Sequence, residues 1–154
     1  MPFQPHPLPI SASVQVAASA AAVWEAVSDL TRMPEWSPEL RRVVVLGTPK
    51  QGEGTKLLGI NRRGWAVWPT TSTVVRFEPR KAVAWRTRES GATWTYELDE
   101  SASGTRLSGR RDLTGFTVGT RVMAPLIGGA EGHDAELADG IRTTLDRIKA
   151  TVEA

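Results

Sequence analysis

Two hydrophobic periods divide this chain, and the point where one gives way to the other limits what it can fold into. From Leu137 onward, Leu137, Ile141, Leu145, Ile148 and Val152 are spaced by four, four, three and four. That is one stripe of an amphipathic helix of about five turns. Asp134, next to His133, sits near its start and Lys149 near its end, as the helix dipole favours. Everything from Leu40 to Leu113 reads instead as short strands. Strands are predicted over Leu40–Leu46, Thr55–Asn61, Trp65–Phe77, Ala82–Arg88, Ala92–Asp99 and Thr105–Leu113, with Gly- and Pro-rich turns between them. Pro69 interrupts the third of these, which predicts an edge, bulge or bend there. Short strands joined by tight turns imply an antiparallel meander.

The start of the chain adds one strand and two short helices. Ser11 to Ala18 alternates, so that Ala12, Val14, Val16 and Ala18 can face inward. A helix over Ala20–Ser28 follows, capped by Ser19, with Val23, Trp24 and Val27 at helical spacing. A second helical turn over Thr31–Glu35 ends before Pro38. Trp36 is then held between Pro34 and Pro38. Late in the chain, Val118 to Ile127 is apolar and runs into Gly128-Gly129, which reads as a short helix or lid hinged at the glycines.

Composition excludes several chemistries. With 154 residues, one domain is expected, over residues 11–154, preceded by an extended arm at 1–10 carrying four prolines. The absence of cysteine removes disulfides, thiolate metal sites and cysteine nucleophiles. No apolar run approaches a membrane span, and the N-terminus lacks the pattern of a signal peptide, so the expected location is the cytoplasm. The charge is only +2, with 15 arginines against 4 lysines. The pairs Arg41-Arg42, Arg62-Arg63 and Arg110-Arg111 lie in separate segments, so solvated strand faces are expected and no nucleic-acid partner. His6 and His133 have no second His or Cys near them and make neither a metal site nor a triad. The glycines of Gly128–Gly132 are not followed by Lys-Ser/Thr and do not form a phosphate loop.

Several local patterns carry a family resemblance: V-W-E-x-V-S-D ending at Asp29, P-E-W-S-P at Pro34–Pro38, V-x-x-F-E-P at Val74–Pro79, W-x-Y-E-L at Trp94–Leu98, G-T-R-L at Gly104–Leu107 and G-I-R-x-T-L-x-R-I-K at Gly140–Lys149. In this order they resemble the START-like (SRPBCC) superfamily, in particular its polyketide cyclase/dehydrase and lipid-transport branch. The resemblance covers nearly all of Ser11 to Glu153. It implies an α+β helix-grip fold, in which a curved antiparallel sheet wraps around the long C-terminal helix. None of these patterns is catalytic, so they are specific for fold rather than for function. A bent sheet and one helix cannot fill the space between them with side chains alone, and an elongated apolar cavity is expected.

The candidate cavity residues are Trp36, Trp68, Trp85, Trp94, Tyr96, Arg111, Phe116 and Ile141. Trp36 is expected to line the cavity, because family members place a residue of that connection there. Trp24 is expected in helix–sheet packing. Trp65 and Trp68 have opposite parity, so one of them can cover an edge or the cavity mouth. The Tyr96 hydroxyl needs a partner if buried, expected from a neighbouring Thr or a backbone group. Strict alternation turns Arg111 to the concave side with Thr105, Leu107 and Gly109. A bulge at Gly109 would expose it, and exposure is the expectation. The function expected is binding of a hydrophobic small molecule (a lipid, polyketide-like or aromatic compound) for transport or sequestration, without a cofactor, by a monomer or homodimer. One alternative is an aromatase/cyclase or dehydratase-type enzyme, with Tyr96, Arg111, Asp29 and His133 as the available proton-handling groups. A second is a non-catalytic interaction module.

Overall fold

The computed structural model describes residues 10–47, 50–113 and 130–154, with backbone alone for Leu113 and for 130–137. The first strand, β1 (Ile10–Val16), leads into α1 (Ala20–Val27) and a short 3-10 helix over Leu30–Glu35. Six strands follow: β2 (Leu40–Leu46), β3 (Lys56–Arg63), β4 (Ala66–Glu78), β5 (Ala82–Thr87), β6 (Ala92–Ser101) and β7 (Gly104–Leu113). The helix α2 (Ala130–Glu153) closes the chain. The sheet order is β1-β7-β6-β5-β4-β3-β2, antiparallel throughout. Consecutive hairpins build β2 to β7, and β1 joins the last of them. This is the helix-grip architecture that the family resemblance implied.

Local chemistry sets the first turns. The Ser19 hydroxyl accepts from the Ala22 N–H at 3.2 Å and caps α1. Asp29 caps the 3-10 helix, accepting from the Thr31 N–H at 3.2 Å and the Thr31 hydroxyl at 2.7 Å. Gln51 ties this corner to the sheet, donating to Asp29 and accepting from the Leu30 N–H, both at 2.8 Å. The 3-10 helix begins one residue earlier than the predicted turn because Asp29, rather than Leu30, is the cap.

Pro69 lies in β4 at a place where its missing N–H is harmless. β3 pairs along Ala66–Thr73, but β5 reaches only from Ser72 onward. Thr71 turns its N–H toward the β5 side, to Glu89 at 2.7 Å. Two residues earlier, the Pro69 nitrogen faces that same side, where β5 has ended. The irregularities fall elsewhere, between Leu40 and Arg42 and between Val74 and Arg76. Trp65 is not in a strand as predicted; it stands in the β3–β4 turn.

The predicted stripe is the buried face of α2: Ile141, Leu145 and Ile148 are at most 6% exposed. They pack with Val16, Leu107 and α1 in one core. α2 lies against β1, β7 and α1, and among the described residues it makes only sparse contact with β2 to β5. Gly109 permits that close seating. A Cβ there would stand 3.2 Å from Ile141 Cγ2 and 3.4 Å from Leu145 Cδ2. Two side chains of α2 also complete the open edge of β1: Lys149 donates to the Gln15 carbonyl and Glu153 accepts from the Ala17 N–H, each at 2.7 Å. The helix is therefore held to one half of the sheet and stands away from the other.

Candidate functional site

The space left between α2 and strands β2 to β6 is a cavity of about 650 Å³. Cross-strand rows build its wall, since directly paired residues share a face. One row runs Trp85–Trp94–Arg111 across β5 to β7, continued into the core by Val74 of β4. A second runs Tyr96–Gly109 across β6 and β7, continued into the core by Val83 of β5. A third runs Leu57–Ser72–Thr87, with the two hydroxyls 3.0 Å apart. A fourth joins Leu40, Asn61 and Trp68. Ile141 and Thr144 of α2 form the opposite side.

The wall is mainly apolar and aromatic. Trp85 and Tyr96 meet edge to face with ring centroids 5.5 Å apart. Polar groups interrupt it at a few points. The Asn61 amide donates to the Thr70 hydroxyl at 3.0 Å and to the Trp68 carbonyl at 3.3 Å. Tyr96 reaches the cavity with its ring packed in the core, and burial pushes its pKa well above the ordinary phenol value, so it remains neutral. No described residue hydrogen-bonds its hydroxyl, contrary to the expectation of a Thr or backbone partner.

Arg111 also corrects its expectation. The β1–β7 and β6–β7 registers run unbroken through Gly109, so no bulge turns the arginine outward. It is 7% exposed, on the cavity wall, with its guanidinium 5.8 Å from the centre of the Trp94 ring. Cation–π contact and the flat guanidinium suit such a half-apolar place.

Trp68, Trp85, Trp94, Tyr96, Arg111 and Ile141 thus lie together on the cavity wall. Trp36 does not. It is 1% exposed and packed in the core beneath the Arg32 guanidinium, 5.0 Å from its ring. Its carbonyl accepts from Arg147 at 3.4 Å, and its Nε1 lacks a hydrogen-bond partner. Trp36 stands at the C-terminal end of the 3-10 helix, where its backbone N–H donates to the Met33 carbonyl at 3.1 Å. Trp24 packs edge to face on Phe77 at 5.1 Å, as expected of helix–sheet packing. Asp29 is committed to its cap and is not on the cavity wall. Phe116 and the glycine-hinged segment lie outside the described residues, as do the N-terminal arm through residue 9 and the His133 side chain.

Two groups of wall residues were not foreseen. Thr70 and Ser72 share strand parity with Trp68, and Thr87 with Trp85, so counting in twos from those candidates finds them; Asn61 pairs directly with Trp68 across β3 and β4. The second group is arginine. Arg41, Arg62, Arg63, Arg110, Arg111 and Arg147 border this one cavity, although their separate positions in the chain argued against any gathering. Antiparallel pairing and the curl of the sheet bring them together, and neither is visible in local sequence. Among the described residues, no cluster of His, Cys, Asp or Glu could hold a metal ion, and no helix is long and apolar enough to cross a membrane.

Similar proteins share this architecture. The aromatase/cyclase Zhui from a Streptomyces species superposes with a TM-score of 0.68 at 17% identity, over 95% of this chain and 93% of that one. StfQ, a di-domain aromatase/cyclase of steffimycin biosynthesis, gives 0.74 at 15% identity, over 94% of this chain and 50% of its own. A polyketide-cyclase-like protein from Corynebacterium glutamicum gives 0.65 at 26% identity, over 94% and 91%. Among curated protein sequences none matches. The family profile described as polyketide cyclase/dehydrase and lipid transport matches residues 8–153, and the chain belongs to that family.

Proposed function

We propose that the protein encloses a hydrophobic small molecule in the sheet–helix cavity and carries or sequesters it in the cytoplasm. The observation that supports this most is the cavity itself, about 650 Å³ with Leu57, Trp85, Tyr96 and Ile141 in its wall. That size suits a lipid, polyketide-like or aromatic ligand. Water or ligand occupies a space of this size, and an aromatic wall favours ligand. Arg111 and Tyr96 orient the molecule: a guanidinium for a carboxylate or carbonyl, and a neutral phenol that can donate to an oxygen.

Catalysis in the same cavity is the second reading. Its support is the likeness to two aromatase/cyclases together with two proton-handling or charge-bearing groups, Tyr96 and Arg111, in the wall. With Asp29 committed to its cap, Tyr96 and Arg111 are the described members of the four candidate groups that such a reaction would use; the His133 side chain lies outside the described residues. Tyr96→Phe separates the two: a carrier loses affinity, an enzyme loses turnover with affinity kept.

The binding test is fluorescence titration with 1-anilinonaphthalene-8-sulfonate, competed by a fatty acid and by an aromatic polyketide. Saturable, competed binding is expected. Ile141→Trp, which puts an indole into the ligand's space from α2, should abolish it with the circular dichroism spectrum unchanged. Ser72→Phe, from the opposite wall, serves if that variant does not fold. A wild-type protein that takes up no apolar probe, or cavity-filled variants that bind as well as wild type, would sink the proposal.

A further inference from the structure

The β3–β4 hairpin ends in a large side chain that the fold leaves in water. Trp65 is 81% exposed at the tip, and Val67 two residues on is 60% exposed. The chain's other five tryptophans are all buried or half-buried. Gly64, with φ +62, turns the chain at this tip and also borders the cavity. Cations surround the tip. Arg62 pairs directly across from Val67, Arg63 follows it, and the Arg62 N–H donates to the Glu39 carbonyl at 2.8 Å, bringing the start of β2 with Arg41 and Arg42 alongside. Arg41, Arg62 and Arg63 are themselves part of the cavity wall. Among the described residues of the cavity border, six are arginines and two, Glu39 and Asp139, are carboxylates. On the convex face the hairpin continues into an apolar strip, with Val44 opposite Leu58 and Ile60 opposite Pro69.

We propose that this hairpin tip is an interfacial anchor that seats the cavity mouth on an anionic lipid surface. Tryptophan prefers the headgroup level of a bilayer, where its ring is half in apolar surroundings and its N–H stays wet. Arginines beside it meet the negative surface of anionic lipid. A second copy is a poor occupant, because it would set like-charged arginines against each other. The anchor rests on the ligand-carrying reading and adds to it where the ligand is collected or delivered: the bilayer under the mouth.

The experiment is co-sedimentation of the full chain with vesicles of phosphatidylcholine alone and of phosphatidylcholine mixed with phosphatidylglycerol. Wild type should bind the mixed vesicles, and added salt should weaken that binding. Trp65→Ser should weaken it on the order of tenfold, and Arg62→Gln with Arg63→Gln by at least as much. Trp65→Ser should still take up the anilinonaphthalene probe, because Trp65 is not part of the cavity wall. Wild type left in the supernatant, or Trp65→Ser bound as well as wild type, would overturn the anchor. So would a Trp65-dependent dimer, or a Trp65-dependent complex with an acidic protein, in sedimentation velocity. Failure on vesicles with the probe still bound removes the anchor alone; failure of the probe with vesicles still bound removes the carrier reading instead.

Discussion

Asp29 shows how one side chain joins two parts of the fold. It caps the 3-10 helix through Thr31 and receives the Gln51 amide from across the β2–β3 connection. Burial, the largest single influence, pulls its pKa up; the hydrogen bonds from Thr31 and Gln51 and the nearby Arg32 together outweigh it and hold the group below its ordinary 3.8. A carboxyl depressed on folding adds stability above its unfolded pKa and loses it as pH falls through the folded one. Asp29→Asn should therefore be less stable than wild type at neutral pH, by on the order of 1 kcal/mol for a partly exposed group. The gap should close as pH drops below 3.8, and urea midpoints across that range will show it. A gap that does not change with pH would mean the charge contributes nothing. Single residues were the scale at which the sequence was least legible. Trp36 and Arg111 were each placed on the wrong side: the family resemblance put Trp36 at the cavity, whereas it packs in the core, and arginine's usual exposure outweighed a strand register that in fact runs straight through Gly109.

At the level of elements, period did most of the work. The stripe Ile141–Leu145–Ile148 was legible because an amphipathic helix repeats its apolar face over several turns, and the strands because inward residues recur every second position. The interruptions were not legible. Pro69 pointed to an irregularity, yet the register shifts fall at Leu40/Arg42 and Val74/Arg76, where residue type carries no signal. The seating of α2 also leads to a contrast between two neighbours on one face. Leu145 is fully buried in the core, whereas Ile141 has the cavity on one side. Leu145→Ala truncates a fully buried core side chain and should cost about 2–5 kcal/mol. Ile141→Ala enlarges a space that already exists, and should cost less, toward the low end of that range. Denaturant midpoints of the two variants test this; equal losses, or a larger loss at Ile141, would mean that α2 is seated differently against the sheet.

For the whole molecule, the asymmetric seating of α2 separates the half that provides stability from the half that provides space. Val16, Leu107, Leu145 and Ile148 fill the interval beneath β1 and β7. Beneath β3 to β5 the same interval is the cavity, and its Asn, Thr and Ser side chains can hydrate an empty state without unfolding the core. Ligand and stability are then linked through one equilibrium, because a molecule that binds only the folded chain shifts unfolding by mass action. A probe at about one hundred times its dissociation constant adds about 2.7 kcal/mol. For a domain of this size that is a rise in Tm of several degrees. The rise should be present in wild type and in Trp65→Ser, whose change lies outside the cavity. It should vanish in Ile141→Trp, whose own Tm should lie at or above that of unliganded wild type, because the new indole takes up part of the ligand's place. Differential scanning calorimetry of the three proteins with and without probe measures both effects at once. A probe-induced rise that persists in Ile141→Trp would show that the molecule binds somewhere other than between α2 and the sheet.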